Sequence, residues 1–224
     1  MVLRPAELHS DIVAAESAFA KFFREMREGM QFLRGHREIV TLGLSWALFL
    51  SAMMTGVVVT APLSDQVFHR GAVGYGWLNF GWGTGAFVSA FYAPRFIRKF
   101  GARRSIAISL GALTILMIAA PTMPFLALAV VIYALMGSGR GITGVAMNTS
   151  LMEQVPQHFM GRVQNTFYAA GTALQVLQSY LVGAVAQANL IAGFSVIGLV
   201  YAVGFISATW PVRVSAPVEV NPAK

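Results

Sequence analysis

The sequence predicts an all-α polytopic membrane protein, with six transmembrane helices and both termini cytoplasmic. Three observations carry that prediction. Of 224 residues, 56% are hydrophobic and only 11% charged, whereas a soluble domain carries roughly 25% charged residues. The apolar residues come in long blocks and not in alternation or narrow stripes, which is the pattern of bilayer-spanning helices. Lysine and arginine gather in every second connection, the distribution that orients membrane helices.

In chain order, residues 1–38 read as a cytoplasmic linker. Within it Phe19, Phe22, Phe23, Met26, Met30 and Leu33 recur at helical spacing, and Lys21, Arg24, Glu25, Arg27, Glu28 and Arg34 fill the other face. Such a helix either lies in the membrane interface or docks on a neighbouring helix. The first apolar run begins only near Ile39, after this charged stretch, so no cleavable secretory signal is expected.

The transmembrane domain, 39–211, is expected to hold six spans: Ile39–Ala61, Val73–Tyr92, Ser105–Thr122, Pro124–Met152, Val163–Ala188 and Leu190–Trp210. Each is near or above the roughly 20 residues that a span needs. Turn chemistry separates them, at Pro62 to Asp65, Ala93-Pro94, Pro121 to Pro124, Val155-Pro156 and Gln187 to Asn189. The Pro121–Pro124 connection is so short that its two helices must be antiparallel neighbours. A tail, 212–224, follows on the cytoplasmic side.

Fourteen of the sixteen basic residues fall on one side of this topology; Arg70 lies opposite and Arg140 lies inside a span. Topology thus accounts for the net charge of +7. The expected partner is the lipid bilayer and not nucleic acid, with the chain multi-pass in the cell membrane. The chain has no cysteine, which excludes disulfides and thiolate metal sites. His9, His36, His69 and His158 lie outside the spans and far apart. No nucleophile–base pair, paired carboxylates or metal spacing stands out, so neither an enzyme nor a cofactor is expected.

Three stretches resemble one family. The loop Ala93-Pro-Arg-Phe-Ile-Arg-Lys-Phe-Gly-Ala-Arg-Arg104 is similar to the loop between the second and third helices of a major facilitator superfamily half. Lys99, Gly101, Arg103 and Arg104 match that motif's basic, glycine-turned character. Pro94 stands where its first glycine belongs and Arg98 where its aspartate belongs, so the family's aspartate lock is not carried over. Phe22 to Arg34 resembles the central linker of drug- and siderophore-export branches. Val155-Pro-Gln-His-Phe-Met-Gly-Arg-Val163 resembles their loop between helices ten and eleven, matching at Pro156, Gly161 and Arg162. The resemblance implies the C-terminal six-helix half of a secondary active exporter, drug-, macrolide- or siderophore-exporter-like. It further implies proton coupling, a small amphiphilic substrate, and a missing N-terminal half or a homodimer partner. The competing expectation is a transport-inactive truncated fragment or a membrane-embedded interaction protein.

Polar residues on spanning helices face a cavity or another helix, because lipid leaves them unsatisfied. On the fifth span Tyr168, Thr172, Gln175 and Gln178 share one face, with Ser179 beside Gln178. The second span places Tyr75, Asn79 and Trp82 together. These are candidate substrate-lining residues, or else interhelical glue. Arg140 is the most costly residue in the chain, at about 2.5–3.5 kcal/mol near mid-span. It could bind an anionic substrate or a partner's carboxylate, act within a gate, or be a structural ion pair. No acidic residue of this chain is expected at its depth. The surrounding Gly137-x-x-x-Gly141, and Gly81-x-x-x-Gly85 on the second span, read as close-packing faces and not as a phosphate loop.

Overall fold

Six long helices account for the six apolar blocks. The computed structural model describes residues 35–210, together with residues 24, 27, 29–31 and 33. Most of the amphipathic linker, including Phe19, Phe22, Phe23 and Met26, and the tail 212–224 lie outside the described residues. Among the described residues there is no strand. We number the helices α1 (Arg37–Pro62, extended by a π turn Leu63–Val67), α2 (Gly71–Phe100), α3 (Ala102–Ala119, then a 3-10 turn Ala120–Thr122), α4 (Leu126–Gln154), α5 (Gln157–Ala188) and α6 (Leu190–Thr209).

Five of the six are long and apolar enough to cross a membrane, by length and composition. The exception is α2, whose 30 residues would reach about 45 Å at 1.5 Å per residue. Its apolarity is diluted by the residues it uses for packing. Its buried stripe runs Gly74, Leu78, Gly81, Gly85, Ser89, Ala93 and Ile97, in which all but Leu78 and Ile97 are small residues suited to close approach and not to hydropathy. Its outward face is apolar, with Val73, Phe80, Phe87 and Phe91 all exposed.

Three boundaries differ from the sequence expectation. The turn expected at Pro62 to Asp65 is helical, with α1 running through Pro62 into the π turn that ends at Val67. Pro94 does not end α2, which continues through it to Phe100. A proline removes one backbone hydrogen bond, and the break comes instead at Gly101. There φ is +80°, a left-handed conformation that a side chain disfavours. The Gly101 N–H donates to Ile97 (2.7 Å) and its carbonyl accepts from the Ser105 hydroxyl (2.7 Å), so one residue closes α2 and opens α3. Likewise α5 begins directly after Pro156, which places Gly161 and Arg162 within the helix and not in a loop. The α5–α6 break falls where expected, with the Asn189 side chain accepting from the Ala192 N–H at 3.1 Å as an N-cap.

Helix packing pairs the two halves of the chain. The most extensive contact is α2 on α4, followed by α3 on α6, α1 on α5, α1 on α6 and α3 on α4. Exchanging α1, α2 and α3 for α4, α5 and α6 maps this set onto itself, the signature of two interleaved three-helix repeats. The α2–α4 seam is built from the two glycine pairs. A Cβ on Gly85 would fall on the Ala134 carbonyl, one on Gly137 on the Trp82 carbonyl, and one on Gly141 on the Ser89 side chain. The two close-packing faces read from the sequence are thus each other's partners. The core is filled by Phe49, Leu78, Leu110, Leu113, Phe194, Ile197 and Tyr201, all but fully buried. Leu33 joins this core, and Gly29 lies against α5 at Arg162 and Thr166, so the end of the linker docks on the bundle.

Candidate functional site

Arg140 stands at the midpoint of α4, exposed and not packed away. The face it occupies repeats at Tyr133, Met136 and Arg140, one helical turn apart. These three line a cavity of about 490 Å³ whose other walls come from α1 (Met53, Thr60), α2 (Asn79, Trp82), α3 (Met117) and α6 (Tyr201). The cavity runs from the helix midpoints towards the end that carries the α1–α2 and α3–α4 turns. Its volume lies in the range of small-molecule sites, and its walls are mainly apolar with a few polar groups.

Those polar groups are unequally engaged. Thr60 donates its hydroxyl to the Gly56 carbonyl at 2.8 Å, so the Tyr133 hydroxyl is the donor in the Thr60–Tyr133 bond of 3.0 Å. That pair is closed on itself. Asn79 donates through Nδ2 to the Tyr75 carbonyl at 2.9 Å, leaving Oδ1 as an acceptor. Arg140 donates through Nε to the Met53 thioether sulfur at 3.3 Å. Sulfur is a weak acceptor. Among the described residues Arg140 makes no salt bridge and no other hydrogen bond.

The candidate residues on α5 go elsewhere. Gln178 is buried, and Ser51 of α1 donates to its Oε1; one turn on, Thr55 meets Ser179 at 3.3 Å. The Gln178 Nε2 has no partner among the described residues. Tyr168 sits edge-on to Trp46 with centroids 6.2 Å apart, Thr172 is exposed and Gln175 half-buried. None of these four lines the Arg140 cavity, nor does Tyr75. The expected polar face of α5 thus divides into an interhelical seam with α1 at Gln178 and an outward strip at Tyr168 and Thr172. Sequence reasoning missed Met53, Thr60, Tyr133 and Met136. For Tyr133 and Met136 the signal was present, since they share the face of Arg140 at helical spacing.

At the opposite end of the bundle the basic motif residues serve helix termini. Arg103 donates through Nε to the Ala208 carbonyl (2.8 Å) and through Nη2 to the Trp210 carbonyl (2.6 Å), so the start of α3 holds the end of α6. A cation at a helix C-terminus meets both unsatisfied carbonyls and the negative end of the macrodipole. Arg104 is exposed beside it, and both line a second cavity of about 620 Å³ with Glu38, Gln154 and Trp210. Lys99 lies 5.2 Å from the Phe100 ring centroid and Arg162 5.5 Å from that of Phe159.

Across residues 3–179 the chain matches the family model of the Major Facilitator Superfamily. None of the curated proteins and none of the solved structures matches it.

Proposed function

The chain belongs to the Major Facilitator Superfamily of membrane transporters, and on that premise we propose that it forms one six-helix half of a secondary active exporter of small amphiphilic molecules. All six helices, α2 included, cross the cell membrane, with both termini cytoplasmic as the lysine and arginine distribution supports. The other half comes from a separate chain or from a second copy, and coupling is to protons. Transport proceeds by rocking one half against the other around a midplane site.

The observation that carries this reading is Arg140: a guanidinium at the middle of α4, exposed into a cavity that joins four other helices. A charge there is retained at a cost of several kcal/mol, which a ligand or partner group offsets during the cycle. Thr172 lies on the outward strip of α5 and faces the second half.

Two measurements test the proposal. Because the chain has no native cysteine, Thr172→Cys gives a single cross-linking site. In membranes it should capture a second copy or another six-helix chain, and failure to capture either would refute the half-transporter reading. In proteoliposomes holding the same assembly without the cross-link, Arg140→Ala should lower flux of a fluorescent amphiphile about ten-fold or more, the worth of one charged hydrogen bond. Wild-type flux in that variant would remove Arg140 from the site.

A further inference from the structure

We infer that the Arg140 cavity selects an amphiphilic anion, such as an aromatic sulfonate or carboxylate; this rests on the reading of that cavity as the substrate site. The argument is one of unmet charge. The Arg140 guanidinium meets only the Met53 sulfur, and its Nη groups are without an acceptor among the described residues. The three described carboxylates lie elsewhere: Glu38 at the start of α1, Asp65 in the π turn after it, and Glu153 at the end of α4. None lines the cavity.

The remaining polar groups do not neutralise it. The Thr60–Tyr133 pair is closed on the Gly56 carbonyl, and Asn79 offers one amide oxygen. A cationic ligand would set two like charges together in a medium of low dielectric, and a neutral one would leave the guanidinium uncompensated. A carboxylate or sulfonate accepts from the planar guanidinium in two parallel bonds. The ligand's body meets the thioethers of Met53, Met117 and Met136 and the Trp82 ring, surfaces that adapt to varied apolar shapes. The anionic head therefore sits at mid-depth and the apolar part extends towards Met117 and Thr60.

The test uses two probes that share one aromatic skeleton, anilinonaphthalene sulfonate and its neutral parent N-phenylnaphthylamine. The chain, assembled with its second half, is held in nanodiscs of zwitterionic lipid, and binding is read as energy transfer from Trp82, with Trp82→Phe marking the signal from this site. Wild type should bind the sulfonate about ten-fold or more tightly than Arg140→Gln does. Arg140→Lys should recover part of that difference, and the neutral probe should bind both proteins within about two-fold. Equal sulfonate affinity in wild type and Arg140→Gln would overturn the inference. So would an equal loss for both probes, which would mean that Arg140 shapes the cavity without reading charge. If neither probe gives saturable transfer from Trp82 in wild type, the cavity is not a ligand site and the proposed function falls with it.

Discussion

Replacing Gly85 by alanine tests the seam on which the bundle is built. A methyl group at that position would fall on the Ala134 carbonyl oxygen, with the carbonyl carbon 2.6 Å and the Ala134 Cα 2.9 Å away. All three are backbone atoms, so no rotamer change relieves the clash, and ordinary contact requires α2 and α4 to part by roughly 1 Å or more. The same displacement loosens Gly81 against Val130, Gly137 against Trp82 and Gly141 against Ser89. Overpacking of this kind costs about 1–3 kcal/mol or more. The better helix propensity of alanine returns up to about 1 kcal/mol, which leaves a net loss of about 1–2 kcal/mol. The control is internal. Gly76 on the same helix and Gly144 on α4 have nothing within 4 Å of where a methyl group would stand, so Gly76→Ala and Gly144→Ala should be neutral or slightly stabilising. Reversible denaturation in mixed micelles measures all three. If Gly85→Ala matches Gly76→Ala in stability, the close α2–α4 approach is wrong and the placement of Arg140 relative to Trp82 goes with it.

Three further outcomes follow from single contacts. Arg103→Ala should destabilise by about 1–2 kcal/mol, because it strands the Ala208 and Trp210 carbonyls, and cysteines placed at the start of α3 and the end of α6 should then cross-link more slowly. Gly101→Ala should cost about 1–2 kcal/mol through its positive φ, read by the same denaturation assay. Ser51→Ala should cost about 1–3 kcal/mol by leaving the buried Gln178 amide with neither end paired. Ser51→Ala combined with Gln178→Leu should recover most of that loss, since it removes the orphaned group; a double variant as unstable as the single one would refute the pairing.

Much of this was legible in the residues. Long apolar blocks can satisfy their backbone in lipid only as helices, so six blocks meant six helices, and the five apolar enough to span match blocks one and three to six. Gly81-x-x-x-Gly85 and Gly137-x-x-x-Gly141 were readable as packing faces because small residues at that spacing leave a flat helix surface. Boundaries were less legible. Pro94 signals a break, yet α2 absorbs it and turns at Gly101, and α5 starts at Gln157, well before its apolar run.

The amino-acid sequence by itself determined the helical class, the order of the helices, the apolar exterior and the lack of an acidic residue within three turns of Arg140 on its own helix. These depend on composition and local periodicity, which are properties of each segment alone. Only the tertiary structure decided which faces meet. It set the two glycine motifs against each other, turned Gln178 towards Ser51 and not towards Arg140, gave Arg103 the carbonyls of α6, and gathered Met53, Thr60, Asn79 and Trp82 around Arg140. A helical repeat states which residues share a face. It says nothing of what that face touches, because pairing is settled by the shapes of two surfaces distant in the chain.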